Sequence, residues 1–114
     1  MFVMMKQALL LFLGLISLAS CDCLQQIDGI VVAEDTLLPI GDVEVRERNS
    51  DGTYDRMSFP TDMVGRFEFT GISGGPWGCP EVQLHFAKPG YLPVDREFPS
   101  TASGDTIWMK PANR

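Results

Sequence analysis

Apolar and polar residues alternate repeatedly along this chain, and that period of two limits its fold more than any other feature. In Gly41–Arg48, Val43 and Val45 share one side while Asp42, Glu44, Arg46 and Arg48 share the other. Arg66–Gly71 repeats the pattern with Phe67 and Phe69, and Glu81–Lys88 repeats it with Val82, Leu84 and Phe86 opposite Glu81, Gln83 and His85. Successive side chains of an extended strand point to opposite faces, so each segment reads as a strand with one face in a core. Between them stand Asn49–Gly52, Gly71–Pro80 and Lys88–Tyr91, rich in the Gly, Pro, Asn and Asp that turns require. Ile27–Asp35 is apolar on both parities, as in a strand covered on both sides. Asp55–Phe59, closed by Pro60, suits an edge strand. Leu92–Phe98 and Asp105–Lys110 add the last two, and no stretch carries a period of 3.6. The expectation is all-β: seven strands in two sheets packed face to face as a β-sandwich.

The amino-terminal segment obeys different rules. Lys6 is the single charge in the first 20 residues, and the 11 residues Ala8–Leu18 are apolar apart from Ser17 and are followed by Ala19 and Ser20. A basic start, a short apolar middle and a small-residue exit describe a secretory signal peptide. The run is too short to span a bilayer, which takes about 20 apolar residues. It also lacks the polar face that a helix on a protein surface would show.

Leu18-Ala-Ser-Cys21 resembles the lipobox of bacterial lipoproteins. That resemblance implies a diacylglyceryl group on the Cys21 sulfur, cleavage before Cys21 and acylation, with palmitate or a similar chain, of the new amino terminus. Several acyl chains make anchoring stable where one binds only marginally. The expected organisation is a signal peptide at 1–20, a lipid-anchored linker at 21–25, the sandwich at 26–111 and a tail at 112–114. The expected location is the bacterial cell envelope, with the membrane as a partner through Cys21. Removing the leader leaves 94 residues with 8 Lys and Arg against 15 Asp and Glu, a net charge of −7. Such a balance argues against nucleic acid as a partner, because binding it requires a basic face.

Three segments then carry a second resemblance. Ile27–Val45 (IDGIVVAEDTLLPIGDVEV), Asp62–Ile72 (DMVGRFEFTGI) and Leu84–Pro93 (LHFAKPGYLP) are similar, in sequence and in order, to carboxypeptidase regulatory-like domains. The resemblance implies a transthyretin-like (prealbumin-like) Greek-key sandwich, a small accessory module of bacterial envelope proteins. Gly65 and Gly90 sit where the chain must turn tightly, Pro39 restricts the loop before the Val43 strand, and Tyr91 has a ring to pack and a hydroxyl to satisfy. All four read as fold determinants rather than catalytic groups.

Catalytic sets are hard to assemble from what remains. His85 is the single histidine, between Leu84 and Phe86 on the outward side of its strand. Hydroxyisourate hydrolases and intradiol dioxygenases, on related sandwiches, use more than one histidine, so neither chemistry carries over; a small hydrolase is a minor alternative. No cofactor is expected. No metal site is expected either: Asp28, Glu34, Asp35, Asp51, Asp55 and Asp62 fall in turns and strand ends without a calcium-loop pattern. Exposed aromatics are the better candidates for binding. Trp77 lies in a Gly/Pro loop, Trp108 has the opposite parity from Ile107 and Met109, and Tyr54 follows the Asn49–Gly52 turn. Such rings stack on a glycan or anchor a protein interface, or else simply cover the ends and edges of the sandwich. The leading reading is a non-enzymatic interaction or structural module with an envelope protein partner. A carbohydrate- or peptide-binding lipoprotein is the alternative.

If lipid consumes Cys21, two cysteines remain in an oxidising compartment, where pairing is favoured. Cys23 and Cys79 are therefore expected to form a disulfide, against the alternative of two separate thiols. Closing 56 residues of chain stabilises a fold by about 4 kcal/mol in the chain-entropy model.

Overall fold

The computed structural model describes residues 23–73 and 79–112. The expectations placed on the leader, Cys21 and Trp77 lie outside the described residues. Seven strands follow in order: β1 Cys23–Ala33, β2 Glu44–Arg48, β3 Tyr54–Pro60, β4 Arg66–Ser73, β5 Val82–Ala87, β6 Val94–Phe98 and β7 Thr101–Met109. They form a three-stranded sheet ordered β4-β1-β7 and a four-stranded sheet ordered β3-β2-β5-β6. The chain is thus all-β, with two sheets enclosing one core.

The alternation read from the sequence decides which side chains make that core. Val43, Val45, Val82, Leu84 and Phe86 are at most 1% exposed, and Phe67 and Phe69 are buried opposite them from the other sheet. Phe67 meets Phe86 edge-on with ring centroids 5.1 Å apart, a favoured aromatic geometry across the sheet interface. Ile27, Val31, Ile107 and Met109 complete the layer contributed by β1 and β7.

β1 is central because it pairs antiparallel with β4 and parallel with β7. Its two-sided apolar character has a local cause. Beyond Ile30, where pairing with β4 ends, the chain returns so that Val32 pairs with Pro39 on one side and with Trp108 on the other. Val32 is therefore buried on the parity opposite to Val31 and Ala33. Thr61 locks this return in place. Its buried hydroxyl donates to the Ile40 carbonyl and accepts from the Val43 N–H, both at 3.0 Å, so the hydroxyl is satisfied inside the core.

Three strand ends differ from the sequence reading in ways that matter for the sheet. β1 begins at Cys23 rather than Ile27, so Cys23 to Gln25, expected as linker, belong to the sheet through pairing with Ser73 to Gly71. β4 continues to Ser73, three residues into the Gly71–Pro80 segment expected as loop, for the same reason. β7 begins at Thr101, four residues early, with a register shift opposite Ile27 and Gly29. Asp28 secures that irregularity by accepting from Gly104 N–H at 2.9 Å and from the Ser103 hydroxyl.

Candidate functional site

The outer face of the four-stranded sheet gathers the chemistry-bearing side chains. On β2, β5 and β6 the register sets Arg46, His85 and Asp95 in one cross-strand row, with Ser58 of β3 continuing it. His85 Nδ1 lies 2.7 Å from Asp95 Oδ1. An ionised carboxylate can only accept, so Nδ1 carries the proton and Nε2 is left to accept from, or when protonated donate to, a visiting group. Tyr54, at the start of β3, lays its ring against the imidazole, centroids 4.5 Å apart at 47°. Arg46 pairs with Glu44 on its own strand and donates to the Asp55 carbonyl. Glu44, Arg46, Tyr54, His85 and Ala87 line a hollow of about 230 Å³.

His85 faces outward as its parity requires. Its side chain is nevertheless only 19% exposed, because Tyr54 covers one face and Asp95 closes one edge. The histidine is a fixed element of the patch rather than a solvated surface residue. Sequence reasoning missed Asp95 and Arg46 because they meet His85 only through cross-strand register, which no local spacing encodes. The β5–β6 hairpin, which sets His85 against Asp95 ten residues on, is the one signal that points to Asp95; Arg46 reaches His85 through the non-local pairing of β2 with β5.

Trp108 is half exposed, as expected, but it stands on the outer face of the other sheet, beside Val32. Tyr54 and Trp108 therefore sit on opposite outer faces of the sandwich and do not share one platform. The expected disulfide joins Cys23 to Cys79, with Cα atoms 5.4 Å apart, within the usual range for a bridge. It ties the first residue of β1 to the chain leading into β5.

A second cavity of about 510 Å³ opens at that same end, lined by Gln25, Glu47, Arg48, Asp55, Phe69 and Glu81 among others. Burial pushes the Glu47 carboxyl above the ordinary carboxylate range, and the nearby Asp55 charge adds to the rise. Among the described residues, Arg48 Nε is buried without a hydrogen-bond partner. The turn acids have structural tasks instead. Asp51 accepts from the Thr53 N–H and hydroxyl, which holds it below the usual range, and Asp62 accepts from the N–H groups of Val64 and Arg66. Among the described residues, no three His, Cys, Asp or Glu side chains gather as a metal-binding group.

The sequence matches no protein-family model and no curated protein. Eight chains among solved structures do match. One is 3-chlorocatechol 1,2-dioxygenase from Rhodococcus opacus, with a TM-score of 0.57 at 14% sequence identity, over 82% of this chain and 61% of that one. At that identity the likeness is one of fold: this chain shares a β-sandwich arrangement with part of a larger dioxygenase chain.

Proposed function

We propose that this chain is a bacterial lipoprotein, cleaved before Cys21 and held in the membrane by lipid on that cysteine, whose single sandwich works at the cell envelope without catalysing a reaction. On this reading the fold is a transthyretin-like, Greek-key sandwich of the carboxypeptidase regulatory-like kind, serving interaction or structural support. One observation carries it. β1 starts two residues after the lipobox cysteine, and its first residue is stapled to Cys79. A fold built hard against Cys21 needs no tether, which suits a domain meant to stay at the membrane surface. The strand orders β4-β1-β7 and β3-β2-β5-β6, with β1 and β7 parallel, support the transthyretin-like topology. Metabolic labelling with palmitate tests the anchor. Label in the membrane fraction that disappears in Cys21→Ser supports it, and an unlabelled protein in the soluble fraction overturns it.

A second reading gives the module a ligand. The Tyr54–His85 ring pair is flanked by Arg46, Glu44 and Asp95, so one hollow offers an apolar ring face beside hydrogen-bonding groups of both signs. Sugars present the same combination of apolar ring faces and hydroxyls, and a glycan is the ligand class this patch fits. NMR titration with envelope glycans is the test. Shifts confined to Tyr54, Arg46 and His85, lost in Tyr54→Ala, support the reading; no shift with any glycan removes it.

A further inference from the structure

The outer face of the three-stranded sheet changes character row by row along β1. Leu24 and Ile72 are direct cross-strand partners, 55% and 73% exposed. Two residues further, Thr70, Gln26 and Thr101 form a second exposed row that is polar but uncharged. Charge begins only in the third row, where Asp28 pairs with Glu68. Strand geometry spaces these rows by about 7 Å, so the first carboxylates stand roughly 13 Å from the apolar pair. Cys23–Ile27, Phe69–Ser73 and Pro99–Gly104 contain no Asp, Glu, Lys or Arg, in a chain where 21% of residues are charged.

This sequence of apolar, neutral-polar and charged rows is the order of environments met on leaving a bilayer. Its apolar end is also the end nearest the anchor. Leu24 follows Cys21 by three residues, which span at most about 11 Å of extended chain. The Cys23–Cys79 bridge ties that end of β1 to the chain leading into β5, so the first residue of the fold stays in the sheet.

We propose that this charge-free corner, with Leu24 and Ile72 at its tip, rests in the lipid surface that holds the Cys21 anchor and sets the tilt of the whole sandwich. The inference rests on the lipoprotein reading above. The other sheet's near end argues for a tilt rather than an upright stance, because there Asp51, Glu47, Glu81 and Glu97 outnumber the single cation Arg48. Those carboxylates are repelled by anionic headgroups, whereas the corner of Leu24, Gln26, Thr70, Ile72 and Thr101 is not. Leaning on that corner turns the opposite outer face, with Tyr54, His85 and Asp95, away from the membrane.

Photocrosslinking in the full lipidated protein tests the contact. A benzoylphenylalanine replaces Ile72, or replaces Met63, which is 95% exposed in the turn at the far end of β4. Each protein is reconstituted into vesicles of phosphatidylethanolamine and phosphatidylglycerol, irradiated and analysed by mass spectrometry, which also reads the acylation of Cys21. The expected result is lipid adducts at position 72, severalfold above those at position 63. Acylated Cys21 with equal or absent lipid adducts at position 72 overturns the resting face and leaves the anchor standing. Adducts from position 72 to another protein chain overturn it in favour of a protein contact. A Cys21 without lipid overturns the lipoprotein reading, and the resting face with it.

Discussion

His85 on β5 and Asp95 on β6 are register partners, and their side chains meet on the outer face of the sheet with Nδ1 2.7 Å from Oδ1. The carboxylate thereby selects the tautomer of the ring. Nitrogen-15 NMR of the neutral imidazole is expected to report hydrogen on Nδ1, and Asp95→Asn is expected to redistribute it between both nitrogens. Identical spectra for the two proteins would show that the pair does not control the ring.

Gly65 combines a left-handed backbone, φ +78°, with crowding. A Cβ there would stand 2.7 Å from the Val31 carbonyl oxygen, inside a turn whose own carbonyl accepts from Val31 N–H at 2.8 Å. Neither the φ nor the space suits an L side chain, so Gly65→Ala is expected to destabilise the fold by about 2 kcal/mol or more. Urea denaturation measures it. Gly52 has similar φ but open space around it, so Gly52→Ala is expected to cost less. Equal losses would assign the effect to φ alone.

Glu47 is a residue whose charge the fold resists chiefly through burial. Burial and the Asp55 charge raise its folded pKa above the ordinary value of 4.5, so between the two the folded chain binds more protons than the unfolded one. Stability must then fall as pH rises from 4.5 through the raised value. Glu47→Gln removes that dependence and is expected to be more stable at neutral pH, by less than about 1 kcal/mol because the group keeps solvent contact. Thermal melts across the acid range check the sign. A less stable Glu47→Gln at neutral pH would mean the charge is compensated, with the neighbouring Arg48 the natural partner.

The staple contributes through the unfolded chain. Replacing Cys23 and Cys79 together by Ser is expected to cost up to about 4 kcal/mol, measured by denaturation with and without reductant. Reductant should bring the native protein down to the level of the double variant. No difference between oxidised and reduced protein would mean that the bridge closes nothing the fold had not already closed.

What the sequence made legible follows from how local each signal is. Val43, Val45, Phe67, Phe69, Leu84 and Phe86 were readable because period two is a property of a strand by itself, and all six are buried. Gly65 and Gly90 were readable because turns are local too, and both have positive φ. The extension of β1 back to Cys23 was not readable, since Gln25 and Gln26 become strand through pairing with Gly71 and Thr70, far away in sequence. The His85–Asp95–Tyr54 patch was hidden for the same reason: its members come from three strands. That Tyr54 and Trp108 stand on different sheets was not readable either, because parity gives the side of a strand but not the sheet to which the strand belongs.

The most direct test of an anchor and a staple set side by side is one mass measurement. The protein is extracted from membranes in detergent, alkylated under denaturing conditions without reductant, and its intact mass determined. The expected mass is that of residues 21–114 carrying a diacylglyceryl group and an amino-terminal acyl chain, with no alkylated thiol. A chain without lipid, alkylated at Cys21, would contradict the anchor, and lipidated protein alkylated at Cys23 and Cys79 would contradict the staple.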